Sequence, residues 1–147
     1  MKYAIRYYTK SGHTQALAEK ISEVINVPAL DMDNKLTEDV DILFLGSSIY
    51  GNSVDPAVAI FMESIDVNVG MIVNFSTAGI LESTYDQVAN LSSMLNLKIS
   101  EDEFHCPGQF VGINIGRPNE QDLNDVVEFT KNIVDKYDFY TFLTFFL

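Results

Sequence analysis

At 147 residues, 47% of them apolar and 20% charged, the chain has the size of one globular domain and enough length to enclose a core. Its formal net charge of −12 would repel nucleic-acid phosphates and anionic membrane surfaces, so neither is an expected partner. The charge suits plain solubility or docking against a basic protein. Cys106 is the only cysteine, which excludes an internal disulfide and a thiolate cluster, and two histidines far apart argue against a histidine-based metal site. Arg6, Lys10 and Lys20 interrupt residues 1–20, and no apolar run reaches the roughly 18 residues of a membrane span. The expected location is cytoplasmic.

Apolar runs and amphipathic segments alternate along the chain. Lys2–Tyr8 reads as a strand and His13–Ile25 as a helix, with Leu17, Ile21, Val24 and Ile25 at helical spacing. Val27–Met32 reads as a short strand, and Asp41–Ser47 as a buried one. Pro56 suits the first turn of a helix running to about Ile65, capped by Asp55 or Ser53. Val69–Phe75 is the next strand. Ser83–Leu97 follows as a helix, with Val88, Leu91, Met94 and Leu95 on one side. Phe104–Ile115 reads as a strand broken by Pro107 and Gly108, and Glu120–Tyr137 as the last helix. Such alternation predicts an α/β fold, a parallel sheet with right-handed crossovers and helices on both faces. The final segment, Tyr137–Leu147 (YDFYTFLTFFL), is dense in aromatics. It is expected to pack back on the last helix, or else to serve as a contact patch.

In an open parallel sheet, ligands bind beyond the carboxyl ends of the strands. Three segments there look built for contact. Thr9-Lys10-Ser11-Gly12-His13-Thr14 lies between the first strand and the first helix, where free amides and the helix dipole favour an anion. Gly46-Ser47-Ser48-Ile49-Tyr50-Gly51-Asn52 follows the third strand. Ser76-Thr77-Ala78-Gly79 follows the fourth, with Tyr85 a little downstream. Small residues admit a ligand's approach, hydroxyls and amides bond its polar edge, and tyrosine offers a flat face. The set suits a planar ring joined to a phosphate. No lysine follows Gly12 as a nucleoside-triphosphate loop would require. Ser47-Ser48 and Thr9-Lys10 stand where a phospho-receiver domain needs its aspartates, and the first loop holds no cysteine for a phosphatase.

These three motifs, with Phe104–Phe110 (FHCPGQF) and Gly116–Leu123 (GRPNEQDL), occur in order over residues 2–137 and resemble the short-chain flavodoxin family. The resemblance implies a three-layer, doubly wound flavodoxin-like sandwich with a five-stranded parallel sheet of order 2-1-3-4-5. Residues 1–137 would form that domain, and 138–147 would be its tail. It further implies an FMN-binding electron carrier, its phosphate held by Thr9–Thr14. Tyr50 would stack on the ring, the peptide between Gly51 and Asn52 would lie beside flavin N5, and Ser76–Gly79 would bond the pyrimidine edge. Partners would be a reductase donor and an oxidoreductase acceptor with basic docking faces. The alternative is an NAD(P)H-dependent FMN or quinone reductase of the same fold. The chain departs from the family pattern at three points. His13 stands where asparagine is common, Tyr85 lies later than the usual outer-face aromatic, and Arg6 sits inside a central strand. Arg6 therefore needs a carboxylate partner or an exit to the sheet end.

Overall fold

Strand and helix alternate as β1 (Tyr3–Tyr7), α1 (His13–Ile25), β2 (Ala29–Asp31), β3 (Val40–Ile49), α2 (Pro56–Glu63), β4 (Val69–Ala78), α3 (Tyr85–Met94), β5 (Phe104–Pro107) and α4 (Glu120–Phe146). The structure, a computed structural model, describes residues 1–49, 51–80 and 83–146. Among them a five-stranded parallel sheet runs in the order β2-β1-β3-β4-β5. This is the architecture and the strand order implied by the flavodoxin resemblance.

Period-two alternation along the strands builds two cores. Ile5, Tyr7, Phe44, Val73 and Phe75 face Leu17 and Ile21 of α1 and Val126 and Ile133 of α4. Ala4, Leu43, Leu45 and Ile72 face Val58, Phe61 and Met62 of α2 and Val88 of α3. Phe44 and Phe75 are completely buried, each contributing about 1.5–3 kcal/mol by leaving water. Gly46 pairs with Phe75 across the β3–β4 ladder, and the Phe75 ring occupies the space a Cβ there would need. That position admits only glycine. No helix among the described residues is long and apolar enough to cross a membrane.

Four expectations need correction. β3 and β4 run past their apolar stretches, so Ser47–Ile49 and Ser76–Ala78 are paired strand residues rather than loop. The ladder continues because two long neighbouring strands satisfy each other's backbone groups, whatever their side chains. β5 stops at Pro107, well short of Ile115. Arg6 forms no ion pair with a carboxylate among the described residues. Its guanidinium donates to the Asn34 carbonyl at 2.7 Å, the Ile5 carbonyl at 2.9 Å and the Lys35 carbonyl at 3.5 Å, across the short β2 edge. Burial pulls its pKa below the usual arginine value, while Asp31 pushes the other way. Finally, α4 does not end at Tyr137 and fold back. It continues as helix to Phe146 with its aromatics exposed.

Asp122 anchors the start of α4. Its carboxylate accepts from Arg117 Nε at 2.6 Å and Arg117 Nη2 at 2.8 Å, and from the Asn119 amide at 2.8 Å, while Asn119 Oδ1 accepts from the Asp122 amide at 2.9 Å. The Arg117 hydrogen bonds, chiefly, hold the buried carboxyl below the usual carboxylate range. A depressed pKa gives stability that is present above about pH 3.9, the unfolded value, and is lost as pH falls through the folded one. Asp122→Asn should therefore cost about 1–3 kcal/mol in urea unfolding at neutral pH. The gap to the wild-type chain should close as the acid range is entered.

Candidate functional site

The loop after β1 is shaped by its own residues. Thr9 Oγ1 accepts the Gly12 amide at 2.9 Å, and Gly12 takes φ +87°, a left-handed conformation that glycine adopts without steric cost. A Cβ added at Gly12 would meet nothing within 4 Å, so the loop opens outward there. α1 then begins at His13 with no side chain capping it and no acidic residue in its first turn. Its first amides and positive dipole end point into this opening. Ser11 Oγ and His13 Nδ1 lie 3.0 Å apart. A Cβ on Gly108 would stand 3.6 Å from His13 Nδ1 and 3.2 Å from Thr77 Cβ, which brings the segment after β5 against the same corner.

The strand ends beneath divide their hydroxyls between two faces. Ser47 and Ser76 face α3. Ser47 Oγ donates to Thr84 Oγ1 at 3.0 Å, Asn74 Nδ2 donates to the same oxygen at 3.1 Å, and the Thr84 amide donates to Ser76 Oγ at 3.3 Å. These bonds hold the start of α3 to the sheet, so neither serine side chain faces the α1 loop. Thr77 and Ser48, paired in the ladder, face α1. Thr77 Oγ1 lies 3.0 Å from Thr14 Oγ1, which is fully buried and also 3.5 Å from the Ser47 carbonyl oxygen. Ser48 is 4% exposed, and its hydroxyl has no hydrogen-bond partner among the described residues. It lines a cavity of about 280 Å³ together with Tyr8, Lys10, Gly51, Asn52 and Asp55. A buried hydroxyl without a partner carries an uncompensated desolvation cost, so a ligand atom there would relieve it.

Asp55 ties the walls of this cavity together. It caps α2 by accepting the Ala57 amide at 2.9 Å, accepts from Tyr8 Oη at 3.1 Å, and lies 3.6 Å from Lys10 Nζ. The bond from the Ala57 amide, first among these contacts, holds its pKa below the ordinary carboxylate value. Lys10 is thereby engaged at the rim, and the positive field toward the opening comes mainly from the helix start.

Two positioning residues were missed in the sequence. Gln87 on α3 donates to the Asn52 carbonyl at 2.8 Å and accepts the Val54 amide at 2.8 Å, holding the segment after β3. Asn114 donates to the carbonyls of Gly79 and Gly108 at 3.0 and 3.3 Å, pinning the ends of β4 and β5 together. Asn114 has φ +54°, which asparagine tolerates better than most residues, and the run Gly-Ile-Asn-Ile-Gly was its only hint. Gly79 follows Ala78 at the end of β4, and its amide donates to the Ile49 carbonyl at 3.3 Å. Tyr85 begins α3 among Glu101, Glu103 and Asp86, which with burial raise its pKa; no hydrogen bond among the described residues links it to the α1 loop. Tyr50, the expected stacking residue, lies outside the described residues. Cys106 is packed beneath the sheet, and burial pushes its thiol up to about 12, where no thiolate forms near neutral pH.

No protein-family model matches the chain. An uncharacterized protein of Methanocaldococcus jannaschii is 30% identical over 152 residues, covering 91% of this chain and 99% of that protein. Among solved structures, a flavodoxin from the domain Archaea superposes with a TM-score of 0.74 at 16% identity, covering 92% of this chain and 98% of its own. Oxidised flavodoxin 1 from Bacillus cereus gives 0.66 at 16% identity over 92% and 98%. Rubredoxin oxygen:oxidoreductase from Desulfovibrio gigas gives 0.66 at 13% identity, but this chain covers only 34% of that larger one.

Asp55→Ala should remove the α2 cap and the tie to Tyr8 together. The expected loss is about 0.5–2 kcal/mol in urea unfolding at neutral pH. Unfolding identical to wild type would mean that these contacts add nothing to the fold.

Proposed function

This chain belongs to the same family as the Methanocaldococcus jannaschii protein and carries the flavodoxin-like fold, and from that premise we propose that it binds FMN and carries single electrons between protein redox partners. The observation that supports this most is the Ser48 hydroxyl, buried with no hydrogen-bond partner among the described residues at the end of β3, where the cavity meets the loop that leads through Lys10 to the uncapped start of α1. Both features suit a phosphate, and the small and polar lining residues Gly51, Asn52 and Ser53 suit what lies beyond it.

The first-turn amides of α1, the hydroxyls of Thr9, Ser11, Thr14 and Ser48, and the rim residues Lys10 and His13 would hold the phosphate. A dianion is costly to desolvate, and each charge-assisted hydrogen bond returns about 1.5–3 kcal/mol. Five or six such bonds suffice without an arginine. Backbone groups of Ile49, Gly51, Asn52 and Ser76–Gly79, with Tyr50 as the stacking aromatic, would orient the ring. FMN supplies the electron uptake and release, and the side chains supply position, water exclusion and electrostatics. The net charge of −12 supports docking to basic partner faces, in a cytoplasmic setting.

A second reading, an NAD(P)H-dependent FMN or quinone reductase, is favoured by one observation. Tyr85 begins α3, does not line the cavity beside Ser48, and among the described residues makes no hydrogen bond to the α1 loop, which suits a flavin face left open to a second substrate. Steady-state NAD(P)H oxidation with a quinone separates the two, since a carrier should show almost none.

FMN fluorescence should be quenched on titration with the purified chain. Gly12→Asp, which places a carboxylate in the opening, should abolish the quenching. Ser48→Ala should weaken affinity by about 1–3 kcal/mol, on the order of tenfold to a hundredfold. Wild-type affinity in both variants would remove the phosphate assignment.

A further inference from the structure

The apolar pattern of α4 changes sides along its length. Up to Tyr137 the inward stripe is Val126, Thr130, Ile133 and Tyr137, and the first three are buried against the sheet and α1. Beyond it, Phe139, Phe142, Leu143 and Phe146 follow the i, i+3, i+4, i+7 spacing of a packing stripe. At about 100° per residue this second stripe lies on the opposite side of the helix from the first. Accordingly Phe139, Phe142 and Phe146 are 56%, 57% and 68% exposed. On the inward side the tail carries Thr141 and Thr144, whose hydroxyls donate back to the Tyr137 and Tyr140 carbonyls. Among the described residues the outward stripe therefore has no counterpart within its own fold.

We propose that this outward stripe is a two-fold interface through which α4 of one copy packs against α4 of a second copy, antiparallel. Two observations select that occupant. The first is area. With Phe145 at its edge, the exposed stripe presents roughly 600 Å² of apolar surface, taking full aromatic side chains at their usual size. That lies at the upper end of the largest apolar patch on a typical monomer, where such patches often serve as contacts. Two copies that bury all of it, Phe145 included, reach roughly 1,200 Å², the lower end of the range for specific interfaces. The second is charge. Residues 139–147 carry no charged side chain, although the chain as a whole stands at −12. Just upstream, Lys131 pairs with Glu128 at 3.5 Å and Lys136 with Asp102 at 2.6 Å. Two mutually repelling molecules thus meet on the uncharged last turns of α4, and antiparallel packing places the two Asp138 residues at opposite ends. An anionic bilayer would find no cation in the tail and a repelling body behind it.

Sedimentation velocity of the full chain tests this without reference to any flavin. The wild-type chain should sediment as a dimer that dissociates on dilution. The double variant Phe142→Asp, Phe146→Asp should be monomeric, with an unchanged circular dichroism spectrum because both side chains are exposed in one copy, and with a melting temperature that no longer rises with protein concentration. A wild-type chain that is monomeric at every concentration overturns the proposal. So does a dimer that survives the double substitution, or a monomeric chain that pellets with neutral phosphatidylcholine vesicles.

Discussion

The pairing of Ser47–Ile49 with Ser76–Ala78 at the ends of β3 and β4 governs the upper half of this molecule. Extended backbone sends alternate side chains to opposite faces, so the small hydroxyl residues there are divided rather than pooled. One set, Ser47 and Ser76 with Asn74, is consumed in seating the start of α3 through Thr84. The other, Ser48 and Thr77, forms a polar floor under the uncapped start of α1. Were these segments flexible loops, as hydroxyl-rich stretches usually are, no such floor would exist.

The walls depend on the same ladder. Gly79 and Gly108 each hydrogen-bond to the end of the strand beside them, and Asn114 joins the two. Across the cavity, Asp55 links the cap of α2 to Tyr8 and Lys10, so that a carboxylate stands at the rim of an anion-favouring opening. The opposition is resolved because that carboxylate is spent on three donors, and the free amides of α1 remain on the other side.

Much of this was legible in the sequence because alternation of apolar runs and amphipathic segments determines a parallel sheet almost by itself. The α1 boundaries, the Asp55 cap and the strand order from the flavodoxin resemblance all agree with the structure. The lengths of β3 and β4 were not legible, since ladder pairing is a non-local gain that side-chain composition conceals. For the same reason the separate duties of Ser47 and Ser48 could not be told apart. Arg6 deceived because a buried cation suggests an anion, whereas a narrow edge strand let it reach carbonyls instead. Gln87 carries no pattern of its own and acts only through the loop it meets. The tail was expected to pack back on the last helix or to serve as a contact patch; it continues that helix, and helical spacing turns its aromatics outward.

The account rests on the claim that the opening between the α1 start and Ser48 is a phosphate site. Equilibrium dialysis of the purified chain against FMN and against riboflavin, which has the same ring and no phosphate, tests it most directly. The account predicts that FMN binds far more tightly, by a factor on the order of a hundred or more, as several charge-assisted hydrogen bonds require. Equal affinity for the two, or retention of neither, would contradict it.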